Sequence, residues 1–113
     1  MHIMITGGLG FIGSNITARL LSEGHQVTIL DNLATSIVSE IPGTGVINLD
    51  LTNERDVADI NLPEADCLMH LARSSSGPES VHNPLGVVTE GYTQTYNALL
   101  LAKRAGVKRV IHA

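Results

Sequence analysis

Cysteine is almost absent. The 113 residues hold one, Cys67. That excludes an internal disulfide and a cysteine metal cluster, and a lone thiol in an apolar run fits a reducing compartment, so a cytoplasmic location is expected. Tryptophan is missing, and Phe11, Tyr92 and Tyr96 are the only aromatic residues, so a core must be built from aliphatic side chains. Cations are few: 7 Lys and Arg stand against 11 Asp and Glu, a net charge of −4. No basic stretch follows a phosphate backbone, so no nucleic-acid partner is expected. No apolar run approaches the roughly 20 residues of a membrane span. The chain opens directly into a strand-like run, so neither a membrane partner nor a signal peptide is expected. Five histidines, His2, His25, His70, His82 and His112, show no metal-ligand spacing, and no metal is expected. No repeat or low-complexity segment is present. The length suits one domain.

The organising stretch is Met1 to Asp31. Ile3, Met4 and Ile5 form a short apolar run that stops at Thr6. Gly7, Gly8, Gly10 and Gly13 follow within seven positions. An amphipathic stretch from Phe11 to about Glu23 puts Ile12, Ile16 and Leu20 at helical spacing, with Gly24 at its C-terminal stop. Val27 to Leu30 is a second β-rich run, closed by Asp31. This is strand, glycine turn, helix, strand, acid. Unpaired N–H groups at a helix N-terminus attract a pyrophosphate, and glycines let it approach. Asp31 lies eighteen residues beyond Gly13, where a carboxylate accepts hydrogen bonds from an adenosine ribose. It would repel a 2′-phosphate, and no Arg or Lys lies between Arg19 and Arg55 to hold one. The pattern therefore points to NAD rather than NADP.

Further along, Asn32 to Ser36 is a polar loop where an adenosine would rest. Val46, Ile47 and Leu49 read as a third strand ending at Asp50. Asp50 would face the adenine, or cap a short acidic helix that starts at Thr52 or Asn53 and runs through Asp56, and both can hold together. Asp66 to Ala72 reads as a fourth strand covered on both faces, with His70 a satisfied core histidine. Arg73 to Pro84 reads as a polar loop. It lacks a nucleophile elbow around Ser74, Ser75 and Ser76, which argues against a hydrolase. Leu85 to Ala105 is the longest helix candidate. Its stripe of Tyr92, Thr95/Tyr96, Leu99 and Ala102, widened by Leu100 and Leu101, assigns both tyrosines to packing. Lys108 to Ala113 begins a fifth strand. Alternating strands and crossovers predict an α/β fold: a Rossmann-type doubly wound parallel sheet of order 3-2-1-4-5, stopping after strand five. Such an edge strand beside an apolar helix face predicts self-association.

These residues resemble the extended short-chain dehydrogenase/reductase family, and within it the NAD-dependent epimerases and dehydratases of nucleotide sugars. The resemblance rests on TGGLGFIGSN at Thr6–Asn15, LDNL at Leu30–Leu33, LDLTN at Leu49–Asn53 and HLA at His70–Ala72. Pro78, Ser80, Val81 and Pro84 follow at the family's spacings, and NALLLAKRAGVKRVIHA closes the match. It implies that Gly7, Gly10, Phe11, Ile12 and Gly13 line the pyrophosphate turn. Asp31 and Asn32 would hold the adenosine ribose, and Asp50 and Leu51 the adenine. Leu71, Ala72 and Arg73 would lie along the nicotinamide ribose, and Ser74, Ser75 and Ser76 would approach the substrate sugar.

The resemblance further implies hydride transfer from a nucleotide sugar to NAD through a transient keto sugar. In that family a serine or threonine after the fifth strand and a later Tyr-x-x-x-Lys pair perform the proton chemistry. Neither tyrosine here fits that spacing: Tyr96 follows Tyr92 by four residues, and Leu100 follows Tyr96. No catalytic residue is expected among residues 1–113, which read as the NAD-binding part alone, without the substrate domain. The alternative is a non-catalytic NAD-binding module or a truncated gene product. Three positions depart from the family: Gly91 replaces a usual Asn, Gln94 a usual Gly, and Arg73 a usual small residue.

Overall fold

The computed structural model describes residues 1–73 and 77–113. Strand β1 (His2–Thr6) is central. Ile3 and Ile5 point to one face and Met4 to the other, as the two-residue period of a strand requires. All three are buried. Two apolar faces on one strand need a layer on each side, and the chain supplies both.

The strands β2 (Gln26–Asp31), β3 (Thr44–Asn48), β4 (Cys67–His70) and β5 (Arg109–His112) complete the sheet. All pairings are parallel, in the order β3-β2-β1-β4-β5. This is the expected order. Helix α1 (Phe11–Ser22) covers Ile3, Ile5, Val27, Ile29 and Cys67 with Ile16, Leu20 and Leu21. On the opposite face Met4, Leu30 and Leu68 pack with Val57 of α2 (Glu54–Asp59) and with Ala98, Leu101 and Ala102 of the long helix. That core contains no aromatic residue: Phe11 is 74% exposed, Tyr92 72% and Tyr96 53%.

Two readings of the sequence need correction. The stretch from Arg73 to Pro84 is not wholly a loop, because α3 spans Gly77–His82. Pro78 falls in its first turn, where a missing N–H costs nothing. Six residues are too few to show a helical period. The second correction concerns α4 (Pro84–Arg104). Its inward stripe is Gln94, Asn97, Ala98, Leu101 and Ala102, whereas Tyr92, Tyr96 and Leu99 face out. The run Leu99-Leu100-Leu101 fits several helical phases. Asn97 settles the choice, since its amide donates to the Leu51 carbonyl at 2.6 Å from a buried position. Small alanines on the same face let the helix approach the sheet. The tyrosines stack on each other at the surface, with ring centroids 6.4 Å apart.

The helix ends follow their chemistry. Asn53 caps α2 by accepting from the Arg55 and Asp56 N–H groups, and Asn83 caps α4 by accepting from Gly86. Arg104 reaches across from α4 to donate to the Val57 and Ile60 carbonyls at the end of α2. The cation thus meets the negative end of a neighbouring helix.

Candidate functional site: a cavity at the carboxyl ends of the strands

Parallel strands bring their carboxyl ends to one edge, and the order reverses direction beside β1. A cavity of about 680 Å³ opens there. Its central wall is the turn from β1 to α1. Gly7 adopts φ +71°, and a Cβ on it would lie 2.9 Å from the Ala72 Cα. A Cβ on Gly13 would fall on the Gly7 carbonyl oxygen and the Gly8 Cα. The fold itself requires both glycines. Gly8 has a separate duty, since a Cβ there would meet the Ile29 side chain at 2.8 Å.

Gly10 is different. A Cβ on it would have one neighbour, the Gly7 oxygen, at an ordinary 3.4 Å. The chain leaves this space open on the cavity wall. Gly10 is also the N-cap of α1, and it provides no side-chain cap. The first N–H groups of a twelve-residue helix are therefore free to meet a ligand. Gly7, Gly10, Phe11, Ile12 and Gly13 all line the cavity. Phe11 and Ile12 are exposed around its mouth.

Asp31 closes β2 and is 8% exposed. Its Oδ2 accepts from the Leu9 N–H at 3.0 Å and its Oδ1 from the Leu33 N–H at 2.8 Å. The carboxylate thus joins the glycine turn to the loop after β2. A carboxylate has about four acceptor positions, so about two remain unused beside the cavity. Asn32, Thr35 and Ser36 continue this wall. Leu30, Leu49 and Leu51 also line the cavity, an apolar surface suited to a base. Asp50, between the two latter leucines, is not part of the lining. Its Oδ1 accepts from the Thr52 N–H at 2.9 Å and the Thr52 hydroxyl at 2.7 Å. The cap of α2 belongs to Asn53 instead.

The far wall holds Leu71, Ala72 and Arg73. Among the described lining residues Arg73 is the single Lys or Arg, and it is exposed with no hydrogen-bond partner among the described residues. Ser74, Ser75 and Ser76 lie outside the described residues.

Sequence reasoning missed a connected group in this wall. Thr6 Oγ1 accepts from the Leu71 and Ala72 N–H groups at 3.1 and 3.2 Å. Its own proton is then left for His70 Nδ1, 2.7 Å away. A neutral His70 carries its proton on Nε2 and donates it to Thr95 Oγ1 at 3.3 Å. Thr95 Oγ1 also lies within hydrogen-bond distance of His112 Nε2, at 3.4 Å. The two imidazoles stack with centroids 5.2 Å apart. His70 is 4% exposed, and burial, aided by the neighbouring His112, holds its pKa below the ordinary value of 6.5. His70 is the satisfied core histidine of the sequence reading, and it also lines the cavity with Thr95, His112 and Ala113. The rule that ligands bind beyond strand carboxyl ends was enough to flag His112 and Ala113. Among the described residues no group of three or more His, Cys, Asp or Glu could hold a metal, and no helix is long and apolar enough to cross a membrane.

The pattern of the NAD dependent epimerase/dehydratase family matches residues 3–113. The chain belongs to that family. Among curated members, it is 37% identical over 111 residues to UDP-glucuronic acid decarboxylase 1 of Danio rerio, covering 97% of this chain and 26% of that protein. It is 33% identical over 120 residues to UDP-glucose 4-epimerase of Klebsiella pneumoniae, covering 98% of this chain and 86% of that sequence. The UDP-glucose 4-epimerase of Thermus thermophilus, solved in complex with NAD, superposes with a TM-score of 0.82 at 31% identity, over 97% of this chain and 36% of the other. The chain thus spans about a quarter of the decarboxylase and about a third of the Thermus epimerase. Within this NAD-dependent family, the matched region is the one that carries the glycine turn and the strand-end cavity.

Proposed function

We propose that residues 1–113 are the NAD-binding part of an NAD-dependent enzyme that epimerises or dehydrates a nucleotide sugar. The observation that carries this reading is the pairing of Gly10 with Asp31. One leaves a bare helix N-terminus for a pyrophosphate, and the other keeps carboxylate acceptors for a ribose. Bound there, NAD supplies a reversible hydride acceptor. The chain's own residues would orient it: α1 N–H groups hold phosphate oxygens, Asp31 and Asn32 the adenosine ribose, Leu51 the adenine, and Leu71 to Arg73 the nicotinamide ribose. Asp50 stands beside the adenine wall rather than in it. Ser74 to Ser76 would approach the sugar.

The proton chemistry falls to a Tyr-x-x-x-Lys pair, which residues 1–113 do not contain. The chain is therefore expected to bind NAD, to bind NADP more weakly, and to convert no nucleotide sugar by itself. Calorimetric titration with both cofactors tests the binding. Absence of NAD binding, or product formation with a panel of UDP-sugars, would overturn the reading. Self-association and a cytoplasmic location belong to the proposal. The former is supported by the exposed Val110 and Ile111 on β5 and by the outward Tyr92, Tyr96 and Leu99 on α4. Sedimentation as a monomer at high concentration would contradict it.

A further inference from the structure

Helix α4 places two amides on its buried face, and they differ in one respect. The Asn97 amide is satisfied by the Leu51 carbonyl. Gln94 lies about one turn earlier on the same face and is 6% exposed. It lines the cavity, and its carboxamide has no hydrogen-bond partner among the described residues. A carboxamide offers two donors and one acceptor oxygen. The residue is nearly buried and its remaining exposure belongs to the cavity lining, so the amide is placed to pair with whatever fills that cavity.

The surroundings bear on that pairing. Gly91 lies one turn towards the start of the helix and lines the same cavity, and a Cβ there would meet nothing within 4 Å. The helix wall beside Gln94 is therefore bare. Thr95, the next residue, is already engaged with His70 and His112. Among the described residues, Gln94 is then the side chain of α4 in the cavity lining with polar capacity to spare. Its neighbour Thr95 touches the ends of β4 and β5, whereas Asp31 closes β2, two strands away from β4.

We propose that Gln94 is a cofactor-binding residue: its carboxamide hydrogen-bonds the nicotinamide–ribose half of NAD. This rests on the reading of the cavity as an NAD site. The amide has no partner among the described residues, and the ligand would supply an acceptor. Leaving Gln94 bare in the free protein makes it a group whose removal costs binding and not folding.

The test compares Gln94→Met, which keeps the bulk and removes the polar atoms, with Gln94→Ala. Binding of NAD and of AMP is measured by calorimetry or competition, and apo unfolding by circular dichroism. Loss of one neutral hydrogen bond predicts an NAD dissociation constant raised about threefold to tenfold in both variants. AMP affinity should stay within about twofold of the wild type, and the apo midpoint should be unchanged or higher. Unchanged NAD affinity in both variants overturns the inference while leaving the cofactor reading intact. Equal losses for AMP and NAD overturn the assignment to the nicotinamide half. A lower apo midpoint in Gln94→Met shows the amide serving the fold and also overturns it. A wild-type chain that binds AMP but not NAD, or neither, removes the cofactor reading and the inference with it.

Discussion

Replacing Asp31 with alanine separates what the carboxylate does for the fold from what it does for a ligand. Two backbone donors lose their acceptor, and their fates differ. Leu9 is fully buried, so its N–H has no water to turn to. A hydrogen bond to a charged group contributes about 1.5–3 kcal/mol, and that is the expected cost at Leu9. Leu33 is exposed at the loop surface, and water can replace its bond. Leu33 also sits at φ 65°, a left-handed backbone that costs a non-glycine residue roughly 1–2 kcal/mol. Release of Asp31 lets it relax, which offsets part of the loss. The net destabilisation of the apo protein is roughly 1–2 kcal/mol, a fall in unfolding midpoint of roughly 4–8 °C for a chain of this size. NAD affinity falls separately, by at least about tenfold, because two ribose hydroxyls lose a charged acceptor. The preference for NAD over NADP narrows, since the charge that repels a 2′-phosphate is gone. Thermal unfolding without ligand and calorimetry with both cofactors read the two effects. An unchanged apo midpoint refutes the structural role, and an unchanged NAD affinity refutes the ribose role.

Other outcomes are expected from the same geometry. Gly13→Ala drives a methyl into the Gly7 carbonyl, a backbone atom that cannot step aside, and should destabilise the chain by about 3 kcal/mol as an overpacked contact while abolishing NAD binding; calorimetry showing intact affinity would count against the close-packed turn. The pH dependence follows from His70, whose folded pKa is depressed. The folded state binds fewer protons than the unfolded one below pH 6.5, so stability is full above that value. It falls as pH drops towards the folded pKa, by at most about 1.4 kcal/mol per pH unit. His70→Asn keeps an acceptor near Thr6 and removes the titration, so its denaturant midpoint should lose the acid slope between pH 6.5 and the folded pKa. An identical slope in wild type and variant would show that other groups carry it.

The fold was legible because its signals are local and repeated. Met1 to Asp31 holds strand, turn, helix and strand in one stretch, and each boundary falls at a residue with a physical reason: Gly7 and Gly24 in left-handed backbone, Asp31 at a strand end. The phase of α4 was not legible. Apolar residues alone suggested the tyrosine face, yet a polar residue, Asn97, marks the inward side through a bond to a carbonyl 46 positions away. Periodicity counts hydrophobic side chains and cannot register a buried amide that finds its partner in three dimensions. The six-residue α3 carried too short a period to be read at all. At the cavity, the glycine turn between β1 and α1 was readable as a turn. The Thr6–His70–Thr95–His112 connection was not, because it joins β1, β4, α4 and β5 across the sheet.

That connection changes how the cavity should be understood. Its walls come from different crossovers, yet they are not independent. Asp31 fastens the glycine turn to the loop after β2, and Ile37 donates to the Leu9 carbonyl at 2.9 Å to fasten it again. Thr6 fastens the end of β1 to the backbone after β4, and His70 directs its hydroxyl by accepting the proton. If His70 took a second proton, Thr6 would have to turn its lone pairs towards Nδ1 and give up at least one of the Leu71 and Ala72 amides. The wall at the end of β2 therefore depends on a carboxylate and the wall from Leu71 to Arg73 on a neutral imidazole. Both are buried, and both act on backbone N–H groups that shape the cavity. A polar atom that satisfies a buried amide in the free chain is, in this architecture, the same atom that sets the distance between walls for a ligand. Stability and binding are for that reason expected to respond together at Asp31 and His70, and separately at Gln94, whose amide has no partner among the described residues.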